Sequence, residues 1–449
     1  MSTVPLSPAP RARHAARCGS HVGPRAGSRR WLVALAACAA AVGLNVYAQP
    51  TLSLDQALRL AQDRSRQLPA QDAAAAAARE MSAAARQLPD PTLKAGINNL
   101  PINGPDRFSL TRDFMTMRSI GVMQEFTRAG KRKARSTRYE REAELAEAGR
   151  ELALTNLQRD TATAWLERHF QERMRAVLVA QRDEARLQID AADAAYRGGR
   201  GSQADVFAAR SSVAQIEDRI AQTERQIATA TTQLARWVGT AASEALGSAP
   251  GLDTVRLRPE DMETQLAHHP QIALMLKQEA VAQADADLAQ ADKTPDVSVE
   301  LMYNQRGPAY SNMVSLNLSM PLQWDRKNRQ DRALAAKLAT LEQMRDEREE
   351  ATRAHVAEAL AMLQEWHSDR GRLTRYDASL LPLAADRTRA ALAAYRGGTG
   401  ALAAVLEARR VEIDTRLERL RLQMDAARLW AQLEYLVPAG RTMATAARP

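Results

Sequence analysis

Two sixteen-residue stretches, 199 residues apart, constrain this chain more than any other feature. Ala195–Arg210 and Ala394–Arg409 align without a gap and agree at ten of sixteen positions. Tyr196-Arg197-Gly198-Gly199 and Gly201 match Tyr395-Arg396-Gly397-Gly398 and Gly400. Solenoid units run to roughly 20–50 residues, so a repeat this long marks a duplicated half-molecule. Each half builds the same glycine-rich turn, and glycine supplies the backbone freedom that a tight reversal between two helices needs.

Proline placement shows what enters those turns. No proline lies between Pro105 and Pro250, and after Pro321 only Pro382 intervenes before Pro438. An interior proline costs a helix about 3 kcal/mol, so the gaps mark where helices can run. Lys131–Tyr196 is rich in Ala, Leu, Arg and Glu, with Gly149 its one breaker. At about 1.5 Å per residue this stretch spans roughly 100 Å. Arg326–Tyr395 is its counterpart, with Gly371 and Pro382 as weak points. Shorter helices leave the turns, near 202–238 and 401–436, and the texture is that of a coiled coil.

Just before each long helix the period changes from helical to two. Val297, Val299, Leu301 and Tyr303 alternate with Ser298, Glu300, Met302 and Asn304; Val314, Leu316 and Leu318 alternate with Ser315, Asn317 and Ser319. Such alternation is a strand with one apolar and one polar face. A weaker version occupies 91–99 and 118–126, where Ile120, Val122 and Phe126 share a face. Pro89-Asp90 opens the first pair as Pro295-Asp296 opens the second, and helices at 52–88 and 259–292 lead in. The expected fold is mainly α with a small β part, each half reading helix, strand, loop, strand, long helix, turn, helix. The first repeat covers 49–238, a linker 239–258, the second repeat 259–438 and a disordered tail 439–449. Four strands do not close a barrel, but three copies supply twelve, an even number within the outer-membrane range.

The first 48 residues differ from the rest. They hold six arginines and no acidic residue, followed by an apolar run from Trp31 to Leu44 and by Val46-Tyr47-Ala48. A basic leader, a short apolar core and small residues before a cleavage point make a signal peptide, cleaved after Ala48. Leu35-Ala36-Ala37-Cys38 also fits a lipobox, which would make Cys38 the acylated first residue. Six of the 62 basic residues and none of the 53 acidic ones lie in this leader, so most of the +9 charge belongs to it and gives no support to nucleic-acid binding. Cys18 and Cys38 are the only cysteines, which leaves the remainder without disulfide, thiolate metal site or thiol nucleophile.

The duplicated tips, the Pro-Asp strand openings and Gln124-Glu125-Phe126 running into Gly130-Lys131-Arg132 resemble the TolC-like outer-membrane efflux proteins. The resemblance covers nearly all of 52–437. Asp113-Phe114-Met115-Thr116-Met117-Arg118, with Gln124 and Gly130-Lys131-Arg132, is similar to the heavy-metal (CzcC and CusC type) branch. The resemblance implies a homotrimer whose twelve-stranded barrel sits in outer-membrane lipid and continues as a helical tunnel through the periplasm. It implies docking on a periplasmic adaptor (membrane fusion protein) and an inner-membrane RND transporter, with metal cations such as Co, Zn, Cd or Cu leaving passively. An outer-membrane factor for drug efflux or type I secretion is the alternative. A periplasmic adaptor fits less well, because the chain has two hairpins and lacks flanking β domains.

The same resemblance assigns adaptor docking to Tyr196, Arg197, Gly198, Gly199, Gly201, Tyr395, Arg396, Gly397, Gly398 and Gly400. It assigns a channel gate to Asp205 and Glu407. Ala404 replaces the second copy of Asp205, so any acidic rings are staggered between repeats. An acidic residue in a first helical turn is also an ordinary dipole partner. No catalytic set, cofactor motif or metal site is expected: His169, His355 and His367 lack ligand spacing, and His268-His269-Pro270 is similar to a helix-start pattern of the family. Met115, Met117, Met123, Met302, Met313 and Met320 read as lipid-facing or packing residues. Trp165, Trp237, Trp366 and Trp430 read as helix packing, and Trp324 and Phe126 as strand-end aromatics at a membrane surface.

Overall fold

The structure, a computed structural model, describes Thr51–Pro438 apart from residues 259, 261 and 267. The expected leader with its Ala48 cleavage point, Cys38 and the tail at 439–449 lie outside the described residues.

The first repeat opens with β1 (Thr51–Leu52), α1 (Leu54–Arg64) and α2 (Gln67–Ala85). Ser53 starts α1 with a capping box: its side chain accepts from the Gln56 N–H while the Gln56 side chain accepts from the Ser53 N–H. The strands β2 (Thr92–Asn98) and β3 (Met117–Phe126) follow, then α3 (Ala129–Arg197) and α4 (Gln203–Val238). A 3-10 turn at Gly239–Ser243 and β4 (Ala245–Leu246) lead to α5 (Met262–Leu266) and α6 (Pro270–Ala291). The second repeat continues with β5 (Val297–Gln305), β6 (Met313–Ser319), α7 (Gln330–Arg375), α8 (Leu381–Arg396) and α9 (Leu402–Glu434).

α3 is 69 residues long, about 100 Å, and Gly149 does not break it. That glycine serves packing instead: a Cβ there would meet the Gln71 side chain of α2 at 2.9 Å. The second long helix is interrupted where Pro382 foretold. A five-residue π segment, Tyr376–Leu380, separates α7 from α8. Proline lacks an N–H and its ring crowds the carbonyl four residues back, and one wider turn relieves both. Asp377 of that segment is gripped by both arms of the Arg419 guanidinium, at 2.7 and 3.0 Å.

All four long strands form one antiparallel sheet in the order β2-β3-β5-β6. The β3–β5 seam joins the repeats, from Arg118 opposite Gln305 to Phe126 opposite Val297. β2 and β6 are left as edges without a partner strand among the described residues. The main core joins the middle of α3 to the C-terminal parts of α4, α7 and α9, around Trp165, Phe170, Leu234, Trp366 and Leu433. Trp165 donates its indole N–H to the Leu52 carbonyl at 3.0 Å, which ties α3 to the small parallel β1–β4 pair.

Where sheet meets helices, Lys131 is buried and its ammonium lies 2.8 Å from Asp296 and 3.3 Å from Asp292. The Arg128 N–H donates to Asp296 at 3.0 Å and the Arg128 guanidinium to the Pro295 carbonyl at 3.1 Å. The Gln124 amide donates to the Pro89 carbonyl at 2.8 Å. Arg128 and Lys131 on one side and Pro295-Asp296 on the other thus form one clamp between the repeats.

Candidate functional site

At the far end of α3 the chain reverses through a hydrogen-bonded glycine turn. The Gly198 N–H donates to Ala194 O (3.0 Å), Gly199 to Tyr196 O (3.0 Å), and both Arg200 and Gly201 to Ala195 O (2.9 and 3.1 Å). The second turn repeats this bond for bond: Gly397 to Ala393 O, Gly398 to Tyr395 O, and Thr399 and Gly400 to Ala394 O. Gly199 and Gly398 sit at φ +71° and +73°, the left-handed region where a side chain is strained. Gly201 and Gly400 are required by space, since a Cβ would lie 3.2 and 3.0 Å from the methyls of Ala195 and Ala394.

A small apolar cluster brings the two turns together. Ala192, Val206, Ala209, Leu402 and Val405 are its buried members, with Tyr395 packed against it. Tyr196, its repeat-mate, is 46% exposed. Arg197 pairs with Asp193, whereas Arg396 has no ion-pair partner among the described residues. The two tips therefore share a backbone and differ in what they present.

The helix starts differ as well. Ser202 caps α4: its hydroxyl accepts from the Asp205 N–H at 3.2 Å, and the Asp205 carboxylate accepts from the Ser202 N–H (2.9 Å) and hydroxyl (2.7 Å). These bonds hold the partly exposed Asp205 below the usual carboxylate range. α9 starts at Ala401 with no side-chain cap. Glu407 is bound by both arms of Arg410, at 2.7 and 3.0 Å, and is likewise held low by that guanidinium. No hydrogen bond or ion pair joins Asp205 to Glu407. The capping role of Asp205 was missed in sequence, although the Ser-x-x-Asp spacing carries it.

The sheet at the other end has an inverted polarity. Register places Leu93, Val122, Leu301 and Leu316 in one row across all four strands, with Ala95, Ile120, Tyr303 and Val314 in the next. These apolar residues are the open ones: Leu316 is 72% exposed, while Ser119 and Asn304 on the opposite, polar face are each 5% exposed. In a water-soluble sheet the burial runs the other way. Met117, Met123, Met302 and Met313 alternate onto the polar face. A Cβ on Gly121 would lie 2.5 Å from the Leu301 carbonyl and 2.6 Å from the Met302 side chain, so this glycine makes room on the polar face. Lys94 and Glu300 form an ion pair of 2.5 Å on the same face. At its margins, Trp324 is 88% and Phe126 47% exposed.

Among the described residues no group of three or more His, Cys, Asp or Glu could hold a metal, and no helix is long and apolar enough to cross a membrane. The histidines stack or pack: His169 on Trp165, His269 on His355, His367 against Trp366. Trp165, Trp366 and Trp430 are buried.

The family described as "Outer membrane efflux protein" matches residues 57–240 and 262–437, well over half of the chain. No curated protein matches the sequence. Among solved structures, the outer-membrane channel OprN superposes with a TM-score of 0.71 at 16% identity, over 86% of this chain and 90% of that one. CusC gives 0.70 at 15% identity, over 87% and 93%. The outer membrane protein VceC of Vibrio cholerae gives 0.68 at 18%, over 85% and 95%. At these identities the likeness is one of fold.

Proposed function

From the premise that the chain belongs to the outer membrane efflux protein family, whose members are channels and not enzymes, we propose that three copies form a passive exit duct for heavy-metal cations. The observation that carries the channel reading is the sheet: its apolar face is open, its polar face is enclosed on the central strands β3 and β5, and its β2 and β6 edges are unpaired among the described residues. Burying the apolar rows in lipid and pairing β6 of one copy with β2 of the next satisfies both at once, because a membrane tolerates no open sheet edge. Twelve strands then surround a lumen faced by Lys94, Ser119, Glu300 and Asn304.

The helices extend this lumen through the periplasm, and the two glycine tips end it. The exposed Tyr196 and Arg197 with the Gly198-Gly199-x-Gly201 turn, and Arg396 with its own turn, form the surface that meets the periplasmic adaptor. The adaptor in turn links the duct to an inner-membrane RND pump that supplies the energy. Asp205 and Glu407, both held ionised, form staggered acidic levels at the mouth that favour cations. The metal preference rests on the resemblance of Asp113–Arg118 and its flanks to the heavy-metal branch.

Deletion of the gene should sensitise cells to Co²⁺, Zn²⁺, Cd²⁺ or copper. Lost drug tolerance with unchanged metal tolerance would replace the cargo and leave the channel. In a planar bilayer, Asp205→Asn with Glu407→Gln should raise conductance or weaken cation selectivity; no change in either removes the acidic gate.

A further inference from the structure

The outward end of the sheet carries arginines without acidic partners among the described residues, and the proposed transport does not use them. Arg118 lies on the apolar face of β3, in the row of Ile97 and Gln305 at the end remote from the helices. It has no acidic partner among the described residues, and its Nε is buried without a hydrogen-bond acceptor. The two loops beyond it pack on each other: the Arg306 guanidinium donates to the Phe114 carbonyl and lies 4.9 Å from the Tyr310 ring, whose hydroxyl donates to the Arg112 carbonyl at 3.4 Å. Arg306 and Arg107 likewise have no acidic partner there, and the Arg306 Nε is also unsatisfied.

Apolar groups stand beside these charges. Ile97, Ile102, Phe108 and Phe114 are 51%, 72%, 56% and 57% exposed. Phe108 is held at φ +56°, a strained conformation for an aromatic residue, with the Arg107 guanidinium 4.7 Å from its ring. Two of the loop acids are already engaged: Asp106 lies 3.5 Å from Arg112, and Asp113 accepts the N–H groups of Met115 and Thr116.

Uncompensated guanidinium groups in a layer of exposed aliphatic and aromatic side chains suit a ligand that joins phosphate to acyl chain. Guanidinium grips phosphate through paired donors, and a cation on the lipid face is tolerated best at the headgroup level. We propose that this rim, anchored by Arg118 with Arg107 and Arg306, binds the phosphorylated headgroup of an outer-leaflet glycolipid of the lipid A class. The proposal rests on the barrel orientation proposed above, with the loops at 99–116 and 306–312 on the outer side.

The test uses the full trimer, purified in detergent and offered bisphosphorylated lipid A, its dephosphorylated form, phosphatidylglycerol or inorganic phosphate, with retention read by native mass spectrometry. Wild type should retain bisphosphorylated lipid A at least about tenfold better than the dephosphorylated form or phosphatidylglycerol. Arg107→Gln/Arg118→Gln/Arg306→Gln should lose that preference while keeping its single-channel conductance. Equal retention by the variant, no preference for the bisphosphorylated lipid, or full displacement by millimolar inorganic phosphate overturns the rim. A wild type that conducts but retains no lipid overturns the rim alone; one that neither conducts nor inserts overturns the channel reading beneath it.

Discussion

Replacing Lys131 with methionine removes the charge from the clamp between the repeats while keeping most of its side-chain volume. Lys131 is 8% and Asp296 14% exposed, whereas Asp292 is 48% exposed. The Asp292 contact, half in water, is worth about 0–1 kcal/mol. Stranding one partner of a buried pair costs about 3–5 kcal/mol. Asp296 keeps the Arg128 N–H at 3.0 Å, which favours the lower end, about 3 kcal/mol. That corresponds to roughly a 100-fold rise in local opening. Hydrogen exchange at 128–132 and 297–299 should therefore lose about two decades of protection in Lys131→Met, with the tips unaffected. Adding Asp296→Asn removes the stranded charge and should return protection to within about tenfold of wild type. Less than a threefold loss in the single variant, or a double variant worse than the single, would refute the clamp. Acid supplies a second arm. Burial acts to raise Asp296, but the bonds from Lys131 and from the Arg128 N–H outweigh it and hold it below its usual range. A carboxylate depressed in the folded state stabilises above its ordinary value near 3.9, and that contribution is lost as pH falls through the lower folded value. Protection corrected for intrinsic rates should be flat from pH 7 to about 4 and fall below that.

Gly199→Ala and Gly398→Ala, forced to φ near +70°, should each cost the turn about 1–2 kcal/mol, read as faster exchange at the tip amides and reduced efflux complementation. Asp205→Ala should lower α4 stability by about 1 kcal/mol by opening its capping box, and Ala401→Ser with Ala404→Asp should gain α9 a similar amount, both measured by exchange in the first helical turn. His269 is pushed down to about 4 by burial, then by the charges of His355 and Arg159. The unfolded chain takes up the proton near 6.5, so stability rises with pH between those values, by about 2 kcal/mol from pH 5 to 7. Unfolding midpoints across that range should show this slope in wild type and lack it in His269→Asn, where an asparagine can still cap α6.

Helical extent and strand position were legible because both are local. The proline gaps gave α3, and the alternation at 297–304 falls within β5. The glycine turns were legible twice over, since two copies of one motif point to one backbone geometry. What bridges distant residues was not. Lys131 and Asp296 are 165 residues apart, and β1 and β4, two residues each, are too short for periodicity to register. Alternation separates two faces of a strand but does not say which one is enclosed. The lipid-facing or packing reading of the methionines left that open, and the β3–β5 register assigns Met123 and Met302 to the face of Ser119 and Asn304. At the candidate gate, Ser202 and Asp205 form a local pattern that sequence could have shown, whereas the packing of Tyr395 between the tips required the other repeat to be in place.

The central claim is that the unpaired β2 and β6 edges close a ring of three. Cys18 and Cys38 both precede Thr51, so the described residues carry no competing thiol. Leu316→Cys on β6, combined in turn with Leu93→Cys, Ala95→Cys or Ile97→Cys on β2, should be oxidised in outer-membrane vesicles and resolved under denaturing conditions. The account predicts dimers and trimers in at least one combination and nothing larger. Monomer alone in all three, or a ladder running past three copies, would contradict it.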